Sequence, residues 1–252
     1  MKPLIVANWK MNPTNIQEAQ ELFKAVGKGV SEVDGAEVVI CPPFIYLGQL
    51  KTKNYKLQTG AQNCFWEDQG TFTGEVSPRM LKNLGCSYVI LGHSERKNYL
   101  KEDASEINRK VLAAVKANLI PIICIGETEK NSSENRQQIE HQVKSILGDV
   151  RYAQTKGMVL TYEPEWAISS NEDAQPATPQ DCQNAIRFMR DTLADMFGME
   201  VADGMPILYG GSVDSKNIAS FMKDGEAQGA LVGSASLDAK EFVALVKNAA
   251  VG

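Results

Sequence analysis

The chain has 252 residues, 43% of them hydrophobic and 23% charged, with a formal net charge of −5. That balance is ordinary for a globular protein and excludes the disordered, collagen-like and disulfide-dense classes. An acidic chain is also poorly suited to nucleic acid, which rewards basic surface, although a local basic pocket for a small anion is compatible with it.

No run reaches the roughly 18 uninterrupted apolar residues of a membrane span. The apolar start, residues 4–9, is already broken by Asn8 and is too short for a signal-peptide core. The cysteines, Cys41, Cys64, Cys86, Cys124 and Cys182, are odd in number and irregularly spaced, with no CxxC pair. They read as reduced thiols in a cytoplasmic protein, and the sequon at Asn131 reads as unused. The histidines are His93 and His141 alone, which excludes a multi-histidine metal site.

In chain order, β-rich runs recur at intervals of about 30 residues, the spacing of βα units. They fall at residues 4–9, 38–41, 57–63, 88–92, 120–126, 158–163, 207–210 and 229–233. Most are continuous apolar runs, as strands covered on both faces require. The segments between them carry helical periodicity. Residues 104–117 align Ile107, Val111, Ala114 and Val115. Residues 179–197 align Ala185, Met189, Leu193 and Met196, and residues 239–250 align Phe242, Val243, Val246 and Ala249. Ser77-Pro78 and Thr178-Pro179 read as N-caps followed by proline at the first helical position. No linker divides the chain. The pattern predicts one α/β domain over residues 1–252, a (β/α)8 barrel of eight parallel strands with outer helices. A doubly wound open sheet is the alternative, but no Gly-x-Gly-x-x-Gly follows the first strand.

In a barrel, function collects at the carboxyl ends of the strands. The polar residues there are Asn8 and Lys10 after the first, His93 and Glu95 after the fourth, and Glu163 at the end of the sixth. Gly210-Gly211-Ser212 follows the seventh and Gly233-Ser234 the eighth. Taken singly, each has a plainer reading: Lys10 as a solvated lysine, His93 as a structural histidine, Glu95 as a salt-bridge partner, Gly210-Gly211 as a tight turn. Taken jointly they suit proton transfer beside a carbonyl. A carboxylate removes the carbon-bound proton, the histidine hydrogen-bonds the carbonyl oxygen, and the lysine stabilises the developing charge. The small-residue loops offer backbone N–H groups to a phosphate. The expected ligand is a small phosphorylated carbonyl compound.

Seven stretches carry a resemblance across essentially the whole chain: ANWKMN (7–12), FTGE (72–75), LGHSERK (91–97), CIGE (124–127), YEPEWAI (162–168), YGGSV (209–213) and LVGSASL (231–237). In these motifs, their order and their spacing, the sequence resembles the triosephosphate isomerases. The resemblance implies a TIM barrel that isomerises a triose phosphate in glycolysis and gluconeogenesis without a cofactor. It implies that Glu163 is the base, His93 a neutral electrophile, Lys10 the electrostatic group and Asn8 a substrate contact, with Glu95 pairing with Lys10. The base and histidine assignment is one for which this family is itself the standard example. The resemblance further implies a homodimer in which the loop of residues 64–75, from Cys64 to Glu75, enters the partner and carries Thr73 to its pocket. Phe65, Trp66 and Phe72 in that loop are expected to be exposed when the chain is alone.

There are departures. Glu165 stands where the family has an aliphatic residue, and Ser169-Ser170-Asn171 where it has Gly-Thr-Gly. The stretch from Glu172 to Ala177 is longer than usual. This segment corresponds to the family's lid. Ser234 replaces a glycine, and Gln228 an aspartate that pairs with an arginine on the preceding helix. The expected phosphate donors are the N–H groups of Ser169, Ser212, Gly233 and Ser234, with the lid still closing. Glu165, redirected by a turn at Pro164, is expected to face solvent. Two other functions compete. One is a binding barrel that lost turnover through its altered lid, although a pure binder needs no base. The other is a Schiff-base aldolase, although Lys10 has an acidic partner candidate that favours a charged amine.

Overall fold

The computed structural model describes residues 2–52, 55–130, 132–168 and 174–251. Eight parallel strands close into a barrel in the order β1 to β8. They are β1 (Leu4–Asn8), β2 (Glu37–Cys41), β3 (Gln58–Ala61), β4 (Tyr88–Leu91), β5 (Ile120–Ile125), β6 (Val159–Tyr162), β7 (Ile207–Tyr209) and β8 (Gly229–Val232). β1 closes the ring, pairing with β2 on one side and with β8 on the other. Each observed strand lies within the matching run read from the sequence or extends it by one residue.

The apolar runs are continuous because both faces of every strand are covered. Successive side chains alternate between the faces. Val6, Val39, Ile90, Ile122, Val159, Leu208 and Leu231 form one cluster inside the barrel. Their neighbours Ile5, Ala7, Ile40, Leu91, Ile123, Leu160, Ile207 and Val232 pack outward against the helices. β3 contributes a glycine to the interior. A Cβ on Gly60 would meet Cys41 Sγ at 2.7 Å and Tyr88 Cβ at 3.1 Å, so the larger neighbours already fill that space.

The helices start where the sequence signals them. Ser77 accepts from the Met80 N–H ahead of Pro78–Asn83. Thr178 and Asp181 cap one another's backbone ahead of Pro179–Phe197. In the Ala104–Lys116 helix, Ile107, Val111 and Ala114 are buried as the periodicity requires. The Ala239–Val251 helix buries Phe242, Leu245, Val246 and Ala249. Among the described residues no helix is long and apolar enough to cross a membrane.

Candidate active site

The alternation that turns Leu4 and Val6 into the barrel turns Asn8, the last residue of β1, toward its carboxyl mouth, where it is 6% exposed. Two residues on, Lys10 has φ of 53°, a left-handed conformation that non-glycine residues rarely adopt. Side chains hold it there. The Lys10 N–H donates to Asn8 Oδ1 at 3.0 Å. Gln62 Nε2 donates to the Lys10 carbonyl and to the Cys41 carbonyl, each at 2.8 Å. The reversed backbone sends the lysine side chain to Glu95, with Nζ 2.5 Å from Oε1. Unusual backbone at a site rim, held by side-chain amides, is characteristic of functional positions.

β4 ends one turn before the Ser94–Leu100 helix, which His93 caps. His93 Nδ1 accepts the Glu95 backbone N–H at 3.2 Å. With Nδ1 accepting, the proton of the neutral ring sits on Nε2. Nε2 is 2.9 Å from Glu163 Oε1. Glu163 follows β6 on the same face as Val159 and is 1% exposed. Ser94 completes its dock, donating its N–H to Oε2 at 3.0 Å and its hydroxyl to Oε1 at 3.1 Å. A buried carboxylate without partners would take up a proton. Here burial pushes Glu163 up, but His93 foremost, then Lys97 and the Ser94 N–H, hold it below the ordinary carboxylate value. For His93, burial lowers the pKa, yet the Glu163 carboxylate, through its charge and hydrogen bond, together with Glu95 leaves the docked imidazole raised, with Lys10 opposing.

Asn8, Lys10, His93 and Glu163 line one cavity with Ile168, Gly210, Ser212, Leu231, Gly233 and Ser234. The space between them, open solvent at the mouth included, is about 410 Å³. Ser234 opens a 3₁₀ turn, Ser234–Leu237, whose first N–H groups have no partner within the turn. A Cβ on Gly233 would lie 3.5 Å from Lys10 Cε, so the eighth-strand loop and the lysine share the same space. Ser169 lies outside the described residues, as do Ser170, Asn171 and Glu172. His141 is exposed on the Asn135–Leu147 helix, away from the site. Among the described residues no group of three or more His, Cys, Asp or Glu could hold a metal ion.

Residues 3–249 match the family model described as "Triosephosphate isomerase". The chain belongs to the triosephosphate isomerase family. It is similar to the triosephosphate isomerases of Moorella thermoacetica, 43% identical over 97% of this chain and 98% of the relative, and of Dehalococcoides mccartyi, 42% identical over 100% and 98%. The triosephosphate isomerase of Clostridium tetani is 42% identical over 97% of this chain and 96% of its own length. The chain is thus an intramolecular aldose-ketose isomerase on a TIM barrel.

Against that family background, two expectations need correction. Glu165 does not face solvent. The turn at Pro164 does redirect it, but inward, where it is 9% exposed. Its Oε1 lies 3.2 Å from Lys97 Nζ, and Asn98 Nδ2 donates to Oε2 at 3.1 Å. The aromatic cluster of the 64–75 loop is only partly exposed. Phe65 is buried, with Trp66 stacked on it at 4.0 Å and Phe72 tilted against it at 4.6 Å. Trp66 is half-buried beneath the Arg109 guanidinium, 3.8 Å over the ring. Phe72, at 41%, is the aromatic left outside, beside an exposed Thr73.

A third departure is resolved in atomic terms. The arginine facing Gln228 is Arg190, on the Pro179–Phe197 helix, and its Nη2 donates to Gln228 Oε1 at 2.8 Å. The same oxygen accepts the Ile207 N–H at 3.0 Å. The amide therefore keeps the hydrogen bonds without supplying a counter-charge. Burial holds Arg190 below the usual arginine value, with Asp203 and Glu226 opposing.

Sequence reading did not single out Gln62 or Ser94. Ser94 lay within a quoted motif adjacent to His93. Gln62 carries no local signal, since its partners, the Lys10 and Cys41 carbonyls, are 52 and 21 positions away.

Proposed function

We propose that this isomerase interconverts dihydroxyacetone phosphate and D-glyceraldehyde 3-phosphate by proton transfer through an enediolate, without a cofactor. The reaction moves hydrogen within one carbon skeleton and needs no electron or group carrier. The observation that carries the reading is the Glu163 carboxylate, buried and 2.9 Å from His93 Nε2 in a cavity shared with Lys10.

Glu163 is the base. Docked on His93 and Ser94 it is a weak one. Swung from that dock onto substrate it loses the His93 and Ser94 hydrogen bonds that lower it, burial remains, and its affinity for a proton rises. His93 changes in the opposite sense. Without the carboxylate on Nε2, burial, the Lys10 charge and the Glu95 N–H on Nδ1 favour the neutral ring, opposed by the Glu95 carboxylate. Its Nε2–H then donates to the carbonyl oxygen of the substrate as the enediolate forms. Lys10 stabilises the developing charge, with Glu95 positioning it. Asn8 contacts substrate as well as holding the Lys10 backbone. The N–H groups of Ser212, Gly233 and Ser234 take the phosphate, and Ser169 is the expected fourth donor.

The working unit is one barrel domain, acting in glycolysis and gluconeogenesis in the cytoplasm. It acts as a homodimer, with Phe72 and Thr73 reaching the partner. The Glu163→Gln variant tests the reading. General-base catalysis contributes about 10²–10⁴-fold, so kcat, followed by coupled assay from glyceraldehyde 3-phosphate, should fall at least that far. Affinity for a phosphate-bearing analogue should change much less. Retained kcat would place the base elsewhere.

A further inference from the structure

The Ser94–Leu100 helix receives two carboxylates from one short stretch of chain. Its first turn takes Glu163 through the Ser94 N–H and hydroxyl. Its next takes Glu165 through Lys97 Nζ at 3.2 Å and Asn98 Nδ2 at 3.1 Å. The chain between them is tightly constrained. A Cβ on Gly126 would lie 2.0 Å from the Glu163 carbonyl oxygen, so the Glu163 backbone rests directly on β5's end. The Glu165 N–H is bound to the Glu127 carbonyl at 3.0 Å, and the 3₁₀ turn Glu165–Ala167 begins there.

We propose that Glu165 is a positioning residue for the base: by pairing with Lys97 on the helix that docks Glu163, it offsets the lysine charge facing Glu163 and sets how readily that carboxylate takes a proton. The proposal rests on Glu163 being the base.

The charges around the pair support this. Facing Glu163 are His93 from the end of β4, Lys97 from the helix and the Cys124 thiol from β5. The Glu163 carboxylate raises the Cys124 thiol in turn, and Lys97 lowers it. Lys10 and Glu95 act on the same group through His93. Of the cations in this set, Lys97 has its ammonium on Glu165 and also 3.4 Å from Gln142 Oε1. Its side chain is 19% exposed, so solvent screens it only in part. An unopposed ammonium there would hold Glu163 ionised and make it a poorer proton acceptor. A buried carboxylate in place of an aliphatic residue is otherwise a burden on stability. Its placement against Lys97 gives it a use.

The test is a cycle of four proteins, unaltered, Glu165→Gln, Lys97→Gln and the double variant, with Glu163→Gln as control. kcat and kcat/KM are measured from dihydroxyacetone phosphate as a function of pH, and the acid limb is read from kcat/KM, which reports the free protein with Glu163 docked. The substrate's own phosphate ionisation is common to all and cancels between them. Glu165→Gln keeps shape and the amide-compatible contact to Lys97 but removes the charge. Its acid limb is expected to move to lower pH by about half a unit or more, with plateau kcat several-fold lower. Adding Lys97→Gln is expected to return the limb to that of the unaltered protein. A merely structural role would change Tm or KM and leave the limb in place. Superimposable limbs for the unaltered protein and Glu165→Gln, or no restoration in the double variant, would overturn the proposal. If Glu163→Gln remained active, the base assignment would fail instead, and the two failures are thereby distinct.

Discussion

The Glu95 backbone N–H points at Nδ1 of His93, 3.2 Å away, and so occupies the nitrogen that an imidazolium would need to protonate. The contact is local, two residues apart, and is fixed by the start of the Ser94–Leu100 helix. Proton traffic at His93 is therefore confined to Nε2, the atom that meets Glu163.

His93 is raised in the resting protein because Glu163, together with Glu95, outweighs burial. In Glu163→Gln that charge and its hydrogen bond are gone, and burial, the largest single influence, remains with Lys10 against the Glu95 carboxylate. The imidazole should then stay neutral to below its ordinary value of about 6.5. With two histidines in the chain, ring-proton and ¹⁵N NMR titrations can follow each. A His93 titration unchanged by the substitution would contradict this account.

Lys10 is expected to act as a charge. Lys10→Met should weaken binding of a phosphate-bearing analogue and lower kcat together, since the ammonium serves both the anion and the enediolate. Borohydride with substrate should leave Lys10 unmodified by mass spectrometry. A trapped adduct would favour the aldolase chemistry instead.

The 64–75 loop holds itself together through Phe65, Trp66 and Arg109, leaving Phe72 outward. An exposed aromatic at a loop tip fits a contact surface. Replacing residues 72–75 with a short Gly/Ser turn should give monomers of low activity by sedimentation and assay. An unchanged sedimentation mass would remove this loop from the interface.

Arg190 binds a neutral amide where a carboxylate would supply counter-charge. Charge-assisted hydrogen bonds are roughly twice as strong as neutral ones. Gln228→Glu keeps the length of the side chain and the acceptor for the Ile207 N–H. Stability should rise by about 1 kcal/mol, read as a higher urea midpoint at unchanged m. A midpoint that stays put or falls would mean that desolvating the new charge offsets the pairing.

The barrel was legible because covering both faces of a strand leaves a compositional trace. Residues 120–126 read as a strand from apolar continuity alone, and β5 spans Ile120–Ile125. Ser77 and Thr178 marked helix starts through chemistry that acts over three residues. Asn8, Lys10, His93 and Glu163 could be proposed together because strand ends of a closed barrel share one mouth, so position along the chain becomes position in space.

Tertiary structure alone decided where side chains with distant partners go. Glu165 was expected in water, as an isolated carboxylate would be. Lys97 and Asn98, 67 positions from Glu165 in the case of Asn98, drew it inward. Phe65 and Trp66 suggest an open aromatic surface, but Arg109 from the Ala104–Lys116 helix covers Trp66 and Phe72 packs on Phe65. Gln62 supports the strained Lys10 backbone from 52 positions away. Periodicity and caps are short-range and leave their mark in neighbouring residues. Ion pairs, ring stacking and side-chain-to-backbone bonds depend on which groups the closed barrel brings within about 3–4 Å, and only folding determines that.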